Sequence, residues 1–486
     1  MNPFKNRILK SCLLLTFITL ICTPAFGQTK DNAIDKQIDD LFSKYNSATP
    51  GVAVAVVKDG KTIFKKGYGA ANLEYDLPIT PKTVFHVASV SKQFTAFSIY
   101  LLEKQGKISL EDDIRKYLPE LPDFGKTIRI KHLLAHTSGI KDQWALLTLA
   151  GWRMDDIITT EHILRLVSRQ KELNFEPGSQ YLYSNSGYTL LAEIVKRASN
   201  QSFAEYTREN IFVPLRMTDT QFYDDFNKVV KNRAYSYEVE NGIYKKKNLN
   251  YSTVGATSLF TTVEDMAKWA LNFETPIVGD SELIRRFNEP SLLNNGQPLL
   301  FGVIEGENNY HAKGQFTRNY RGVNLFNHTG HDAGFWAYLL RFPDKTLSVI
   351  TLSNDDGMRI FPTGMAIAEL YLKDVLKPKQ NVNTPANVSK PAEKSTADLK
   401  DFEGRFYNDE LNTDYTAKVR NGKLVLFHTR LNNVELTETG KDTFSGRIGF
   451  TVEMEFLRDK NNTITGFKVS NFGAKNIKFD KIKEKL

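Results

Sequence analysis

One segment near the C-terminal end divides the 486-residue chain into two unequal parts. Residues 377–397 contain three prolines and no aromatic residue, a composition typical of an extended linker. Residues 28–376 are numerous enough for a large hydrophobic core, and residues 398–486 form a smaller second domain. Because few contacts usually cross such a linker, we expect the larger domain to fold without the smaller one.

The first 27 residues have the pattern of a cleaved export signal. Basic residues precede a short apolar run from Leu13 to Ile21, which is too short to span a bilayer. Small residues before Gln28 fit a cleavage site, so we expect a periplasmic or secreted protein without a transmembrane segment after cleavage. A lipid anchor on Cys22 is the alternative, and Ile21 disfavours it because a lipoprotein signal normally has a small residue there.

The cysteine positions and the charge exclude several classes of function. Cys12 and Cys22 both lie in the signal, so the mature chain has no disulfide and no thiol chemistry. The formal net charge is +8, and the three basic residues of the signal account for part of it, which leaves +5. The remaining basic residues are spread along the chain, which indicates a solvated surface and no nucleic-acid partner. We expect a small-molecule or peptide substrate and no cofactor, and the oligomeric state stays open.

The hydrophobic pattern of residues 28–376 predicts an α+β domain. A continuous apolar run such as 52–57 is typical of a strand covered on both faces. Strands are predicted at 52–57, 62–64, 335–342 and 346–352, and helices at 31–47, 89–105 and 358–376. The first and last parts therefore complete one antiparallel sheet flanked by helices, with a large all-helical subdomain between them.

Residues 398–486 have the pattern of an all-β domain. Asn421-Gly422 is a strong hairpin signal between two strand-like runs. The segment from Phe450 to Phe456 alternates apolar and polar residues, as a half-buried strand does. Short strands at this spacing predict a small closed or half-closed barrel.

Ser89 and Lys92 are the first candidate catalytic residues. They are three residues apart at the start of a predicted helix, so their side chains share one face. A serine hydroxyl is a poor nucleophile unless a nearby base accepts its proton, and an amine can do so when burial disfavours its ammonium form. The pair alone also fits an N-cap serine beside a solvated lysine, so further residues must decide.

The second candidate group lies in a loop that leads into a helix predicted at 187–199. The Tyr183 phenol, if it ionises more easily beside the charge of Lys92, can take the proton of Ser89 and pass it to a leaving group. Asn185 can hold Lys92 and donate to a substrate carbonyl. The alternative is a packed tyrosine in a turn and an asparagine that caps the helix.

The third candidate group precedes the strand predicted at 335–342. His328 and Thr329 lead to Gly330, where the lack of a side chain lets a substrate approach the backbone closely. The N–H groups of Ser89 and His331 then form a candidate oxyanion hole. A hairpin turn is the alternative. No third ligand is spaced to join the two histidines around a metal, so we expect no metal site.

Together, these three groups resemble the motifs of the serine β-lactamase family of penicillin-recognising enzymes, in its class C-like branch. That branch includes D-aminopeptidases, DD-carboxypeptidases and esterases. The resemblance covers about residues 30–375, and the segment from Leu133 to Gly139 supports it. It implies a β-lactamase/DD-peptidase-like fold and a structural role for His136. The C-terminal domain resembles, more loosely, the lipocalin-like barrels appended to some peptidases of this group.

The resemblance also implies an acyl-enzyme cycle. The implied catalytic residues are Ser89, Lys92 and Tyr183, and the implied oxyanion and substrate-binding residues are Asn185, His328, Thr329, Gly330 and His331. One departure is important, because His328 stands where β-lactamases and many carboxypeptidases carry a lysine that faces the substrate carboxylate. We therefore expect an exported serine hydrolase acting on an ester or a D-residue-containing peptide or amide. The alternatives are a β-lactamase proper or DD-carboxypeptidase, and a penicillin-binding sensor without turnover.

Overall fold

The computed structural model describes residues 28–379 and 398–482. The predicted signal (1–27) and most of the predicted linker (380–397) lie outside the described residues, so the domain boundaries stay predictions. The helices are α1 (Gln28–Leu41), α2 (Ser91–Lys104), α3 (Ile130–Leu134), α4 (Gln143–Leu149), α5 (Thr160–Ser168), α6 (Asn185–Ser199), α7 (Phe203–Thr207), α8 (Val263–Asn272), α9 (Ser281–Asn288) and α10 (Ile360–Leu372).

The strands fall into the two parts that the sequence predicts. Those of the larger part are β1 (Val52–Lys58), β2 (Lys61–Tyr68), β3 (Ala70–Asn72), β4 (Leu77–Pro78), β5 (Phe85–His86), β6 (Gln221–Phe222), β7 (Ser236–Glu240), β8 (Ile243–Lys247), β9 (Leu259–Thr261), β10 (Leu300–Ile304), β11 (Glu307–Ala312), β12 (Gln315–Tyr320), β13 (Val323–Asp332), β14 (Phe335–Phe342) and β15 (Leu347–Ser353). Those of the smaller part are β16 (Gly404–Asn408), β17 (Thr413–Arg420), β18 (Lys423–Phe427), β19 (Val434–Glu435), β20 (Thr437–Gly440), β21 (Thr443–Ile448), β22 (Phe450–Arg458), β23 (Ile464–Ser470) and β24 (Ile477–Ile482).

The main sheet joins the two ends of the larger domain, as predicted. Its strand order is β10-β11-β12-β13-β14-β15-β1-β2, and β1 runs antiparallel to β15 from the pair Val52–Ser353 to the pair Lys58–Leu347. Alternate residues of β1 enter different cores. Ala53 and Ala55 face the core that includes α8, whereas Val54 and Val56 face the core that includes α10. The continuous apolar run of β1 therefore reflects a sheet that is covered on both faces, and the α+β prediction is confirmed.

The region between the two halves of this sheet contains helices α2 to α9. Helix α2 packs against α6 in its centre. The same region also contains the short sheet β5-β9-β6 and the hairpin β7–β8. Among residues 28–379 and 398–482, no helix is long and apolar enough to cross a membrane.

The C-terminal strands form one antiparallel sheet that curls into a nearly closed barrel, as predicted. The strand order is β19-β18-β17-β16-β24-β23-β22-β21-β20, so the two edge strands are separated in the chain only by Leu436. Its interior is filled with aromatic side chains, which stack edge-to-face or tilted on one another. These include Phe402, Phe406, Phe456, Phe467 and Phe479.

The expectation of few contacts between the two domains is wrong. One continuous cluster of buried residues runs from α4 into the barrel interior. The Tyr415 hydroxyl donates to the Leu149 carbonyl at 3.0 Å, and the Arg430 guanidinium lies 2.8 Å from the Asp156 carboxylate. A linker composition describes the connecting segment alone, and it carries no information about the surfaces that the two domains present to each other.

Candidate active site

Ser89 lies in a tight turn between β5 and α2. The turn is a 3-10 segment from Ala88 to Val90, and Ala88 has a φ of 46°, a conformation that costs an L-residue some strain. Ala88 and Val90 are buried while Ser89 is partly exposed, so the turn presents the hydroxyl to an approaching substrate. Helix α2 begins at Ser91, and Ser89 does not cap it, which removes the N-cap interpretation.

Lys92 is completely buried in the first turn of α2, so it is not a solvated lysine. Its Nζ atom lies 3.0 Å from Ser89 Oγ, 2.8 Å from Asn185 Oδ1 and 2.7 Å from the Ala256 carbonyl oxygen. Burial lowers the pKa of Lys92 to about 7, against the opposing attraction of the Asp142 and Asp332 carboxylates.

The neutral form of Lys92 satisfies these three neighbours. Asn185 Oδ1 and the Ala256 carbonyl can only accept, and a neutral amine has two N–H donors for them. Its lone pair is then left for the Ser89 hydroxyl. A neutral amine in this position can take the proton of the Ser89 hydroxyl.

Tyr183 lies next to both Ser89 and Lys92. The Lys92 Nζ atom is 5.0 Å from the centre of its ring, and the ring packs on the imidazole of His136 with centroids 4.3 Å apart. Burial raises the pKa of Tyr183, and the interaction with the Ser89 hydroxyl opposes this rise only in part. The prediction of an easily ionised phenol is therefore wrong, because burial disfavours the phenolate more than the Ser89 hydroxyl favours it, and the Asp142 and Asp332 carboxylates disfavour it further.

Asn185 is the first residue of α6, and its side-chain amide is hydrogen-bonded to both Lys92 and Asp142. Its side-chain oxygen accepts from Lys92, while its side-chain nitrogen donates to Asp142 Oδ2 at 2.8 Å. Its backbone N–H donates to the same oxygen at 2.6 Å. The helix is capped by Ser184, whose Oγ accepts from the Gly187 N–H, so Asn185 is free of the capping role.

Gly330 brings strand β13 against the Ser89 turn. A Cβ atom at this position would lie 2.2 Å from the Val87 carbonyl oxygen and 3.0 Å from the Ser89 nitrogen, so only glycine permits the approach. The absence of a side chain at Gly330 thus leaves room for the turn that contains Ser89. Thr329 before Gly330 is partly exposed, and His331 follows Gly330 in the chain.

His328 is buried with 3% exposure and carries no charge. Burial lowers its pKa to about 3, and the neighbouring Lys92 adds to the effect. Its Nδ1 atom lies 2.5 Å from the Thr329 carbonyl oxygen, which assigns the single ring proton to Nδ1. The third motif therefore provides an uncharged His328 side chain at the position where a lysine would provide a positive charge.

The two histidines of β13 do not converge. Three residues apart on a strand, they point to opposite faces, and the His331 ring stacks on Trp336 while its Nε2 bonds Asp356 at 2.7 Å. Within residues 28–379 and 398–482, no group of three or more histidine, cysteine or acidic side chains is placed to hold a metal ion.

Some residues of the site carry no recognisable signal in the sequence. Asp142 reads as an ordinary N-cap before α4, yet it orients Asn185. His311 on β11 is buried beside His136, with ring centroids 5.0 Å apart, and burial lowers its pKa to about 3. His136 itself accepts the Ser184 N–H through Nδ1 at 3.1 Å, which fits its predicted structural role behind Tyr183.

Comparisons with known proteins cover most of the larger domain. The family model described as Beta-lactamase matches residues 38–372, which contain all three motifs. The protein flp of Staphylococcus aureus (strain MRSA252) is 28% identical over 334 residues, which cover 66% of this chain and 63% of that protein. A D-aminopeptidase of Gluconobacter oxydans (strain 621H) is 28% identical over 307 residues, which cover 63% of this chain and 56% of that protein. The chain thus spans less than two thirds of the length of these relatives.

The arrangement of both domains also has a counterpart among solved structures. The octameric penicillin-binding protein homologue from Pyrococcus abyssi superimposes with a TM-score of 0.62, covering 93% of this chain and 99% of that chain. The sequence identity is 23%, so this likeness concerns the fold alone.

Proposed function

The chain belongs to the β-lactamase family, and from that premise we propose that it is an exported serine hydrolase acting on an ester or a D-residue-containing peptide or amide. The observation that carries the proposal is the contact between Ser89 and a buried Lys92, whose pKa burial lowers to about 7. An amine in this state accepts the proton of the serine hydroxyl at neutral pH.

Acylation begins when Ser89 Oγ bonds to the substrate carbonyl carbon and its proton passes to Lys92 Nζ. The N–H groups of Ser89 and His331 receive the negative charge that develops on the carbonyl oxygen. Loss of one such donor costs about 3–4 kcal/mol of transition-state stabilisation. The close approach of Gly330 to the Ser89 nitrogen supports this pairing, because His331 directly follows Gly330 in the chain.

The leaving group departs when the tetrahedral intermediate collapses. Its oxygen or nitrogen takes a proton from the Tyr183 hydroxyl, which regains one from the Lys92 ammonium. The raised pKa of Tyr183 supports this role, since a phenol that keeps its proton can donate it. Water then attacks the acyl-enzyme and gives its proton to the same pair of residues. The bond between the acyl carbon and Ser89 Oγ breaks, the pair returns a proton to Oγ, and the acid leaves.

The uncharged state of His328 supports the proposal of an ester or amide substrate that has no carboxylate next to the scissile bond. A penicillin or a peptide ending in D-Ala presents a carboxylate next to the scissile bond, and a neutral, buried His328 gives it no charge-assisted hydrogen bond. Esters and amides without that carboxylate need no such partner. The similarity to a D-aminopeptidase agrees with this choice.

A substrate panel tests the proposal. The panel contains p-nitrophenyl esters, D-amino-acid p-nitroanilides and nitrocefin, and it is measured on the wild type, on Ser89→Ala and on Ser98→Ala as a matched control. Ser98 lies on the same helix, and its hydroxyl donates to the Phe94 carbonyl at 2.8 Å. We expect turnover of an ester or D-residue amide by the wild type and the control, and none by Ser89→Ala.

Three outcomes contradict the proposal. The first is equal turnover by Ser89→Ala and the wild type, and the second is a preference for nitrocefin over every ester and amide. The third is an adduct that persists on Ser89 by intact mass without product release, which would indicate a penicillin-binding sensor.

A further inference from the structure

Asp142 has a hydrogen-bonding pattern that only an ionised carboxylate can satisfy. It is fully buried, and its Oδ1 accepts the N–H groups of Trp144 at 2.8 Å and Ala145 at 3.2 Å. Its Oδ2 accepts the backbone N–H and the side-chain amide of Asn185. Four donors thus converge on two oxygens, and a protonated acid or an asparagine would turn a hydrogen toward one of them.

This carboxylate is linked to the nucleophile by a short chain of bonds. Asp142 fixes the amide of Asn185 so that its oxygen faces Lys92, and Lys92 in turn reaches Ser89. The charge of Asp142 also acts on Lys92 directly, because it raises the pKa that burial lowers. The titratable groups that face Lys92 from the surrounding elements are Tyr183, Tyr188, Asp142, His136, His328 and Asp332.

The C-terminal barrel forms a hydrogen bond with the backbone of Asp142. The Asp142 backbone N–H donates to the carbonyl oxygen of Gly473, in the loop between β23 and β24, at 2.9 Å. Asn174 of the larger domain donates to the same oxygen at 3.0 Å and accepts the Lys475 N–H at 2.9 Å. Asn471 adds a bond to the Ala145 carbonyl at 3.4 Å.

The packing at Gly473 leaves no free space. A Cβ atom there would lie 2.4 Å from Asp142 Cβ and 3.3 Å from its Cγ, so any side chain must displace the aspartate or the loop. The loop residue Ala474 is fully buried. The contact is therefore close-packed as well as hydrogen-bonded.

We propose that Asp142 is a positioning residue for the Lys92–Ser89 pair and that the C-terminal barrel completes the active site by holding Asp142 through Gly473. The proposal rests on the proposed serine hydrolase activity, and it gives the barrel a function that its own residues do not reveal. Loss of the barrel contact then acts on catalysis through a chain of three side chains, Asp142, Asn185 and Lys92.

Three variants test the proposal on the full-length protein with the best ester or amide of the panel. Asp142→Asn removes the charge and misorients Asn185, so we expect kcat/KM to fall about 100-fold. We also expect the acid limb of its pH profile to move about one pH unit lower, because Lys92 loses an attractive charge. Gly473→Ala forces a clash, and Asn174→Ala removes two loop bonds without a clash. We expect their kcat/KM to fall about 100-fold and about tenfold.

Two control variants separate this link from general effects of the mutations. Arg430→Ala removes a domain contact that does not lead to Asp142, and Gly302→Ala adds a methyl group where no atom lies within 4 Å. Both should keep the wild-type kcat/KM. Thermal unfolding of each variant shows whether it is folded, and Asn174→Ala keeps the test available if the other two variants do not fold.

Several results overturn the proposal. An Asp142→Asn enzyme with wild-type kcat/KM does so, and so does a loss without movement of the acid limb, because the carboxylate would then act through packing alone. Wild-type rates in both Gly473→Ala and Asn174→Ala overturn the role of the barrel, as does an equal loss in Arg430→Ala. If the wild type itself shows no turnover that depends on Ser89, it is the proposed function that fails.

Discussion

Lys92 Nζ and Ser89 Oγ lie 3.0 Å apart at a point where the amine is completely buried and the hydroxyl is partly exposed. Burial lowers the pKa of the amine to about 7, so that a large share of it is unprotonated at physiological pH, and exposure lets the hydroxyl meet a substrate. The other residues of the site act on this pair. The Tyr183 ring lies 5.0 Å from the amine, Asn185 accepts a hydrogen bond from it, and the lack of a side chain at Gly330 leaves room for the turn that contains Ser89.

Substitution of Tyr183 by phenylalanine should remove the proton donor and keep the ring. We expect kcat to fall about 100- to 10,000-fold, the usual contribution of a positioned acid or base, with little change in melting temperature. The ring still packs on His136, so the fold has no reason to change. Steady-state kinetics of Tyr183→Phe against Tyr100→Phe, a matched change on α2, checks this expectation. Equal rates in the two variants would exclude Tyr183 from catalysis.

Substitution of His328 by lysine should change the preference between substrates. A cation at this position can form a charge-assisted hydrogen bond with a substrate carboxylate, worth about 1.5–3 kcal/mol. We expect the ratio of the acylation rates of benzylpenicillin and a neutral ester to rise about tenfold or more. His328→Gln, which adds no charge, is the control and should keep the wild-type ratio. An unchanged ratio in a folded His328→Lys protein would show that the missing charge does not set the preference.

Removal of the barrel should damage the larger domain. A chain that ends before residue 398 loses the Tyr415–Leu149 bond and exposes the apolar surface of α4, which belongs to the continuous core. We expect the truncated protein to lack a cooperative melt or to melt far lower, and to hydrolyse no ester. Differential scanning calorimetry and the ester assay measure both effects. A truncated protein with wild-type turnover and a sharp transition would restore the original expectation of independent domains.

The sequence predicted four strands of the main sheet (β1, β2, β14 and β15) and the barrel because both depend on local patterns, whereas β10 to β13 were not predicted. The apolar run of β1 and the alternation of β22 have the period of their strands, and each pattern is complete within a few residues. The contact between the domains has no such pattern. Asp142 and Gly473 are joined by one backbone bond across a long stretch of chain, and neither residue differs from an ordinary cap or loop residue in the sequence.

The protonation states of the site were predicted in part. Burial of an amine beside a serine was the condition for the Ser89–Lys92 pair, and the structure meets it. The expected ionisation of Tyr183 was wrong, because the outcome depends on how far the phenol is enclosed, and spacing along the chain does not report enclosure. A histidine with its ordinary pKa of 6.5 is already mostly neutral at pH 7, and burial lowers the pKa of His328 further, to about 3.

The pH dependence of Ser89 labelling by a neutral fluorophosphonate tests the central claim most directly. Lys92 must be deprotonated to accept the proton of Ser89, so the labelling rate should rise with pH and reach a plateau, with a midpoint near pH 7. Intact mass and peptide mapping should place the adduct on Ser89 and find none in Ser89→Ala. A midpoint near 10.5, the ordinary pKa of a lysine, or an adduct that survives in Ser89→Ala would contradict the account.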